Sequence, residues 1–155
     1  MSAPDSLATY WDYPKPYTAT FSVTPEHIDA LQHTANTVYV QWCMDVAWAH
    51  TTALGLGAEQ YQQLDRAMAL TRAEYDYRRA TYLGDCVVAG TWITSWEKKL
   101  TMERRVQLVN ANTGDTVLRA RLEFACIEIS SGRPRRPPTA FIERYGPVVN
   151  GQPTD

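Results

Sequence analysis

The stretch Asp29-Ala30-Leu31-Gln32-His33-Thr34-Ala35-Asn36-Thr37-Val38-Tyr39-Val40-Gln41-Trp42 decides how this chain reads. An Asp, a His and an Asn fall within residues 29–36, at the junction of two different periodicities. On the N-terminal side, Ala19, Phe21 and Val23 alternate with Thr18, Thr20, Ser22 and Thr24, the period of a half-buried strand, and Pro25 ends it. On the C-terminal side the spacing turns helical from Asn36 to about Leu54. Val38, Trp42, Val46, Ala49 and Ala53 form one stripe, widened by Tyr39, Cys43 and His50, and only Gln41, Asp45 and Thr52 make a narrow polar seam. A helix this apolar is expected to be buried on most sides, and Gly55 and Gly57 stop it. A carboxylate just before such a helix lies near exposed N–H groups, which stabilise negative charge and polarise a carbonyl.

Downstream the pattern is strand-like throughout. The runs are Ala67 to Tyr77, Val87 to Trp96, Leu100 to Val109 and Thr116 to Ile129. In the third, Leu100, Met102, Val106 and Leu108 alternate with Thr101, Glu103, Arg105 and Gln107; in the fourth, Leu118, Ala120, Leu122, Phe124 and Cys126 face one way. Turn signals separate the runs at Leu83-Gly84-Asp85, Asn112-Thr113-Gly114-Asp115 and Ser131-Gly132. Strand, long helix, then four strands predicts an α+β fold: an antiparallel sheet wrapped around one long buried helix. Residues 1–16, broken by Pro4, Pro14 and Pro16, read as an irregular arm whose Tyr10, Trp11 and Tyr13 lie on the domain or on a neighbouring subunit. Residues 17–145 read as the domain and 146–155 as a tail.

Bulk properties exclude several classes. The 155 residues suit one domain with a sizeable core, and 45% apolar content argues for a folded globule. A net charge of -2 gives no reason to expect nucleic acid as a partner. Cys43, Cys86 and Cys126 are odd in number and far apart, which supports neither a zinc ribbon nor a disulfide framework. Three His with neither a His-x-Glu motif nor clustered carboxylates argue against a metal site. The N-terminus lacks the basic start and apolar core of a signal peptide, no run approaches the roughly 20 apolar residues of a membrane span, and a cytoplasmic location is expected. Neither a Gly-x-Ser-x-Gly elbow nor a phosphate-cradling Gly loop occurs.

The order strand, Asp-x-x-(Gly/Gln)-His-x-x-Asn-x-x-Tyr, buried helix and long antiparallel strands resembles the hot-dog fold thioesterases, among them the 4-hydroxybenzoyl-CoA and acyl-CoA thioesterases. Gln32, His33, Asn36, Tyr39 and Trp42 also resemble the motif of plant-type acyl-ACP thioesterases. Tyr77 to Asp85 and Gly132 to Pro137 look like the family's strand-end turns, so the resemblance spans roughly residues 17–145. It implies an enzyme that hydrolyses an acyl-CoA or acyl-ACP thioester without a cofactor. It also implies a homodimer or homotetramer with pockets at the subunit interface.

By this resemblance Asp29 attacks the thioester carbonyl as a nucleophile or activates a water as general base; by its residue type alone it caps a turn. A backbone N–H near Asn36 would bond the thioester oxygen, while Asn also suits a helix N-cap. His33 orients Asp29, binds substrate or relays a proton, or else organises the turn. Tyr39 and Trp42 are candidates for the acyl-pocket wall or for core. Arg78 and Arg79, with Arg133, Arg135 and Arg136, are candidates for the CoA phosphates or for a solvated basic loop. Asp45 is a second acid facing a pocket or solvent. His27 has no matched role, and His50 reads as a core histidine. A hot-dog hydratase or dehydratase and a non-catalytic acyl-CoA binding domain are the alternatives, and Asp29 and His33 are spaced too closely for the lyase pattern.

Overall fold

The computed structural model describes residues 10–97 and 99–154. Residues 1–9 of the expected arm lie outside the described residues. Five strands, β1 (Tyr17–Ser22), β2 (Arg66–Tyr77), β3 (Cys86–Glu97), β4 (Thr101–Asn110) and β5 (Thr116–Glu128), form one sheet in the order β1-β3-β4-β5-β2. Every neighbouring pair is antiparallel. The long helix α1 (Asn36–Ala53) packs across one face, so the expected α+β hot-dog architecture holds.

The alternation read from the sequence sets the inner face. Leu118, Ala120, Leu122, Phe124 and Cys126 of β5 are all buried. They meet Ile93 of β3, Val106 and Leu108 of β4 and Tyr39, Trp42, Cys43 and Val46 of α1 in one core. Burying each Leu, Ile, Val or Phe among them contributes about 1.5–3 kcal/mol. The helix is less enclosed than its composition predicts: Trp48 is 44% exposed and Met44 half-buried, so one flank of α1 borders a cavity.

The outer face is covered where β3 and β4 run. Trp11 packs edge-on to Trp92, with ring centroids 5.9 Å apart, over Val88 and Val109. Gly90 makes this possible, because a Cβ there would sit 2.7 Å from the Trp11 ring. Gln107, expected on a polar face, is buried instead. The arm lies over it: Asp12 N–H donates to Gln107 Oε1 (2.9 Å), and Gln107 Nε2 donates to the Tyr10 carbonyl (2.8 Å) and Thr116 Oγ1 (2.9 Å). A bidentate Arg119–Asp12 pair fixes the arm's edge.

Two short helices, α2 (Ala58–Leu64) and α3 (Thr139–Tyr145), have no counterpart in the sequence expectations. At seven residues each they are too short to show a helical period. They close one end of the core, where the Tyr61 and Tyr145 hydroxyls hydrogen-bond and Phe141 packs against both rings.

Candidate active site

After β1 the chain makes a 3-10 turn at Pro25–His27. Thr24 N–H donates to His27 Nδ1 (3.0 Å), and the His27 ring stands edge-on to Trp42. His27 therefore builds the turn.

The next residues fold back on Asp29. Its N–H donates to the His33 carbonyl, and its carbonyl accepts from Gln32 N–H, both at 3.0 Å. Gln32 takes a left-handed conformation (φ 66°) to close this turn. Asp29 Oδ1 accepts from Leu31 N–H at 2.8 Å, and the residue is half-buried. His33 is half-buried too, edge-on to Tyr82, with Nδ1 3.3 Å from the Thr34 carbonyl, to which it donates in the Nδ1–H tautomer.

Thr34 is the anchor that sequence reasoning missed. It is buried, and its N–H donates to the Thr81 carbonyl (2.9 Å) while the two hydroxyls lie 2.6 Å apart. The Tyr39 hydroxyl completes the knot, accepting from Thr81 N–H (3.1 Å) and bonding Thr81 Oγ1 (2.8 Å). The loop before α1 is thereby fixed to the loop before β3.

Asn36 opens α1 but is not its N-cap. The chain enters the helix one residue earlier, so Ala35 takes the extended cap position, where it has no side chain to offer the first-turn N–H groups. No described side chain caps these donors, as an oxyanion site requires, although Val38 N–H donates to the Ala35 carbonyl (3.0 Å). Beside them is a hollow of about 190 Å³ lined by His33, Asn36, Tyr39, Tyr77, Arg78 and Arg79.

Five of the candidates from the sequence thus come together: His33, Asn36, Tyr39, Arg78 and Arg79. Asp29 sits on the adjoining turn and does not line the hollow. Trp42 lies in the core, stacked on Phe21 with centroids 5.2 Å apart. Arg78 pairs with Asp76 (2.7 Å), whereas Arg79 is exposed and has no ion pair among the described residues. Arg133, Arg135 and Arg136 do not line the hollow, and Arg135 pairs with Glu128. Asp45 is exposed and accepts from Gln41 Nε2 (2.9 Å) one helical turn away. Burial pushes the Cys43 thiol up to about 12, so it is no nucleophile at neutral pH.

Farther along α1 is a second cavity, also about 190 Å³, whose apolar walls include Met44, Ala47, Met68, Met102 and Phe124. Arg104, on β4, reaches into it.

Comparison with known proteins places this geometry. No match is found among curated proteins. Among solved structures, the chain is similar to the hypothetical protein SAV2348 from Staphylococcus aureus in complex with CoA (TM-score 0.82, 20% identity, covering 91% of this chain and 88% of that one). It is similar to Slr0204, a 1,4-dihydroxy-2-naphthoyl-CoA thioesterase from Synechocystis (TM-score 0.76, 15% identity, 85% and 96%). It is also similar to the 12:0-ACP thioesterase from Umbellularia californica (TM-score 0.76, 16% identity, 86% and 50%). At these identities the likeness speaks to the fold alone. The family described as the thioesterase-like superfamily matches residues 23–145, most of the chain. With that match over most of its length and a sheet topology to fit, the chain belongs to the thioesterase-like superfamily.

Proposed function

We propose that this protein hydrolyses acyl-CoA thioesters, with acyl-ACP as the second carrier to be tested. The observation that carries the reading is the N-terminus of α1: a first turn without a side-chain cap, opening on a hollow lined by His33, Asn36, Arg78 and Arg79, with Asp29 on the preceding turn. The thioester oxygen accepts from main-chain N–H at the first turn, which stabilises the charge that develops there by about 3 kcal/mol per donor. Asp29 attacks the carbonyl carbon or takes a proton from the water that does. The carbon–sulfur bond breaks, water supplies the new oxygen, and the thiolate leaves with a proton. Arg79, exposed and free of an acid partner among the described residues, suits a CoA phosphate.

The working unit in this reading is a homodimer or homotetramer. The long edge strand β2 supports it, because an exposed edge of this length is normally paired or covered. The pocket is then completed between subunits, and the reach of Asp29 to the thioester is assigned to that interface.

A thiol-release assay over short, long and aromatic acyl-CoAs tests the reading, with Asp29→Asn beside the wild type. Asn keeps the shape and the bond from Leu31 N–H but removes the charge, and turnover is expected to fall at least ~100-fold. Near-wild-type turnover in the variant would remove Asp29 from the mechanism. Tight binding of CoA thioesters without release would replace the hydrolase with an acyl-CoA binding module.

A further inference from the structure

Arg104 is the unusual charge of this molecule. It lies on the inward phase of β4, between Met102 and Val106, and is only 2% exposed. Its guanidinium donates to His50 Nδ1 (2.9 Å), Thr91 Oγ1 (3.1 Å) and Thr51 Oγ1 (3.5 Å). All three acceptors are neutral. Accepting from a guanidinium leaves His50 without a proton on Nδ1, and burial followed by the Arg104 charge holds that ring down to about 4.

No carboxylate reaches Arg104 among the described residues, although Arg66, Arg105, Arg119 and Arg121 each pair with an acid nearer the surface. The neighbouring phenols do not compensate the charge either: burial pushes both Tyr61 and Tyr145 up, so they remain protonated. Burial also pushes Arg104 down to about 10, which still leaves it cationic at neutral pH. A guanidinium out of water with no anion is costly, and proteins rarely keep one without a use.

What this charge faces is a cavity. Its walls are apolar, and its polar end gathers Arg104, Thr51, Tyr61 and Tyr145. That shape suits a methylene chain ending in an anion, and a carboxylate is the group that a guanidinium fork binds best. The cavity also lies far from the proposed thioester carbonyl. Along the axis of α1, Met44 lies about 12 Å and Thr51 about 22 Å from Asn36. An extended chain advances roughly 1.2 Å per bond, so a molecule joining the two ends is a long one.

We infer that Arg104 is a specificity residue that receives a second carboxylate at the far end of the acyl group, so that the preferred substrates are long-chain ω-carboxyacyl thioesters. The inference rests on the thioesterase reading for the reacting end. The far carboxylate does not react; it is held while the thioester at the other end is hydrolysed.

The test compares kcat/KM for hexadecanedioyl-, sebacoyl- and adipoyl-CoA with palmitoyl-, decanoyl- and hexanoyl-CoA on the wild-type protein. Binding of the corresponding non-hydrolysable thioethers is measured in parallel by isothermal titration calorimetry. At the longest length the ω-carboxylate is expected to gain about 10- to 100-fold over its alkyl counterpart, the range of a charge-assisted hydrogen bond, with the gain shrinking as the chain shortens. Arg104→Met should reverse the order and Arg104→Lys should keep part of it. The wild-type comparison decides even where a variant fails to fold. Hydrolysis of alkyl thioesters with no gain, or a penalty, from the ω-carboxylate overturns the inference and leaves the hydrolase standing. Absence of all hydrolysis, with ω-carboxyacyl thioethers still binding more tightly than alkyl ones, overturns the hydrolase and keeps the recognition. Equal binding of both series overturns the recognition whatever the turnover.

Discussion

Tyr39 does two things at once. Its ring lines the hollow beside α1, and its hydroxyl is held in the buried Thr34–Thr81 knot. Tyr39→Phe keeps the ring and leaves Thr81 N–H without its acceptor, a loss expected to cost about 1–3 kcal/mol. Urea denaturation checks this, and an unchanged midpoint would show that another group takes the bond. Tyr39 was legible in the sequence as a member of the helix stripe, and Asn36 as the helix start. The knot was not legible, because Thr34 and Thr81 lie far apart in the chain and carry no periodic signal of their own. Arg104 was nearly legible. The alternation of Leu100, Met102, Val106 and Leu108 runs through its position, but a charged residue is ordinarily assigned to the wet face. The one break in the apolar phase was the informative residue.

At the level of elements, α1 and β4 are joined by the Arg104–His50 bond, and this makes their packing sensitive to acid. His50 has an ordinary pKa of 6.5 and about 4 in the fold, where burial and the adjacent Arg104 guanidinium oppose its protonation; Tyr17 stacks on its other side. Unfolded chains therefore bind the extra proton first. The contribution is complete above pH 6.5 and is lost progressively as pH falls toward 4, by an amount on the order of 2 kcal/mol. Urea midpoints measured across that window should fall more steeply for the wild type than for His50→Gln, whose amide oxygen still accepts from Arg104. Parallel slopes would mean that His50 does not titrate as stated. The strands and α1 were foreseen almost residue for residue, because each is long enough to show its period. The helices α2 and α3 were not, since seven residues barely complete two turns and both are held by tertiary contacts of Tyr61, Phe141 and Tyr145.

In the whole molecule, the sheet ends on β2, a twelve-residue edge with Leu70 and Tyr77 exposed on it. If two chains join there, light scattering should give at least twice the 17.5 kDa of one chain, and the unfolding temperature should rise with protein concentration. A concentration-independent monomer would refute the interface and the shared pocket with it. The strand order has another consequence, one of timing. β1 hydrogen-bonds only to β3, and β2 only to β5, so Tyr17 waits for Thr91 and Arg66 waits for Glu128. The hairpins β3–β4 and β4–β5 are the local pairings, and they come last in the chain. Such non-local closure is slow. During synthesis the Asp29–Asn36 turn therefore leaves the ribosome before Thr81 and β3, the partners of Thr34 and β1, and it stays undocked until they have emerged. A nascent chain stopped before β5 should be readily cut by protease across α1, while one that includes it should resist.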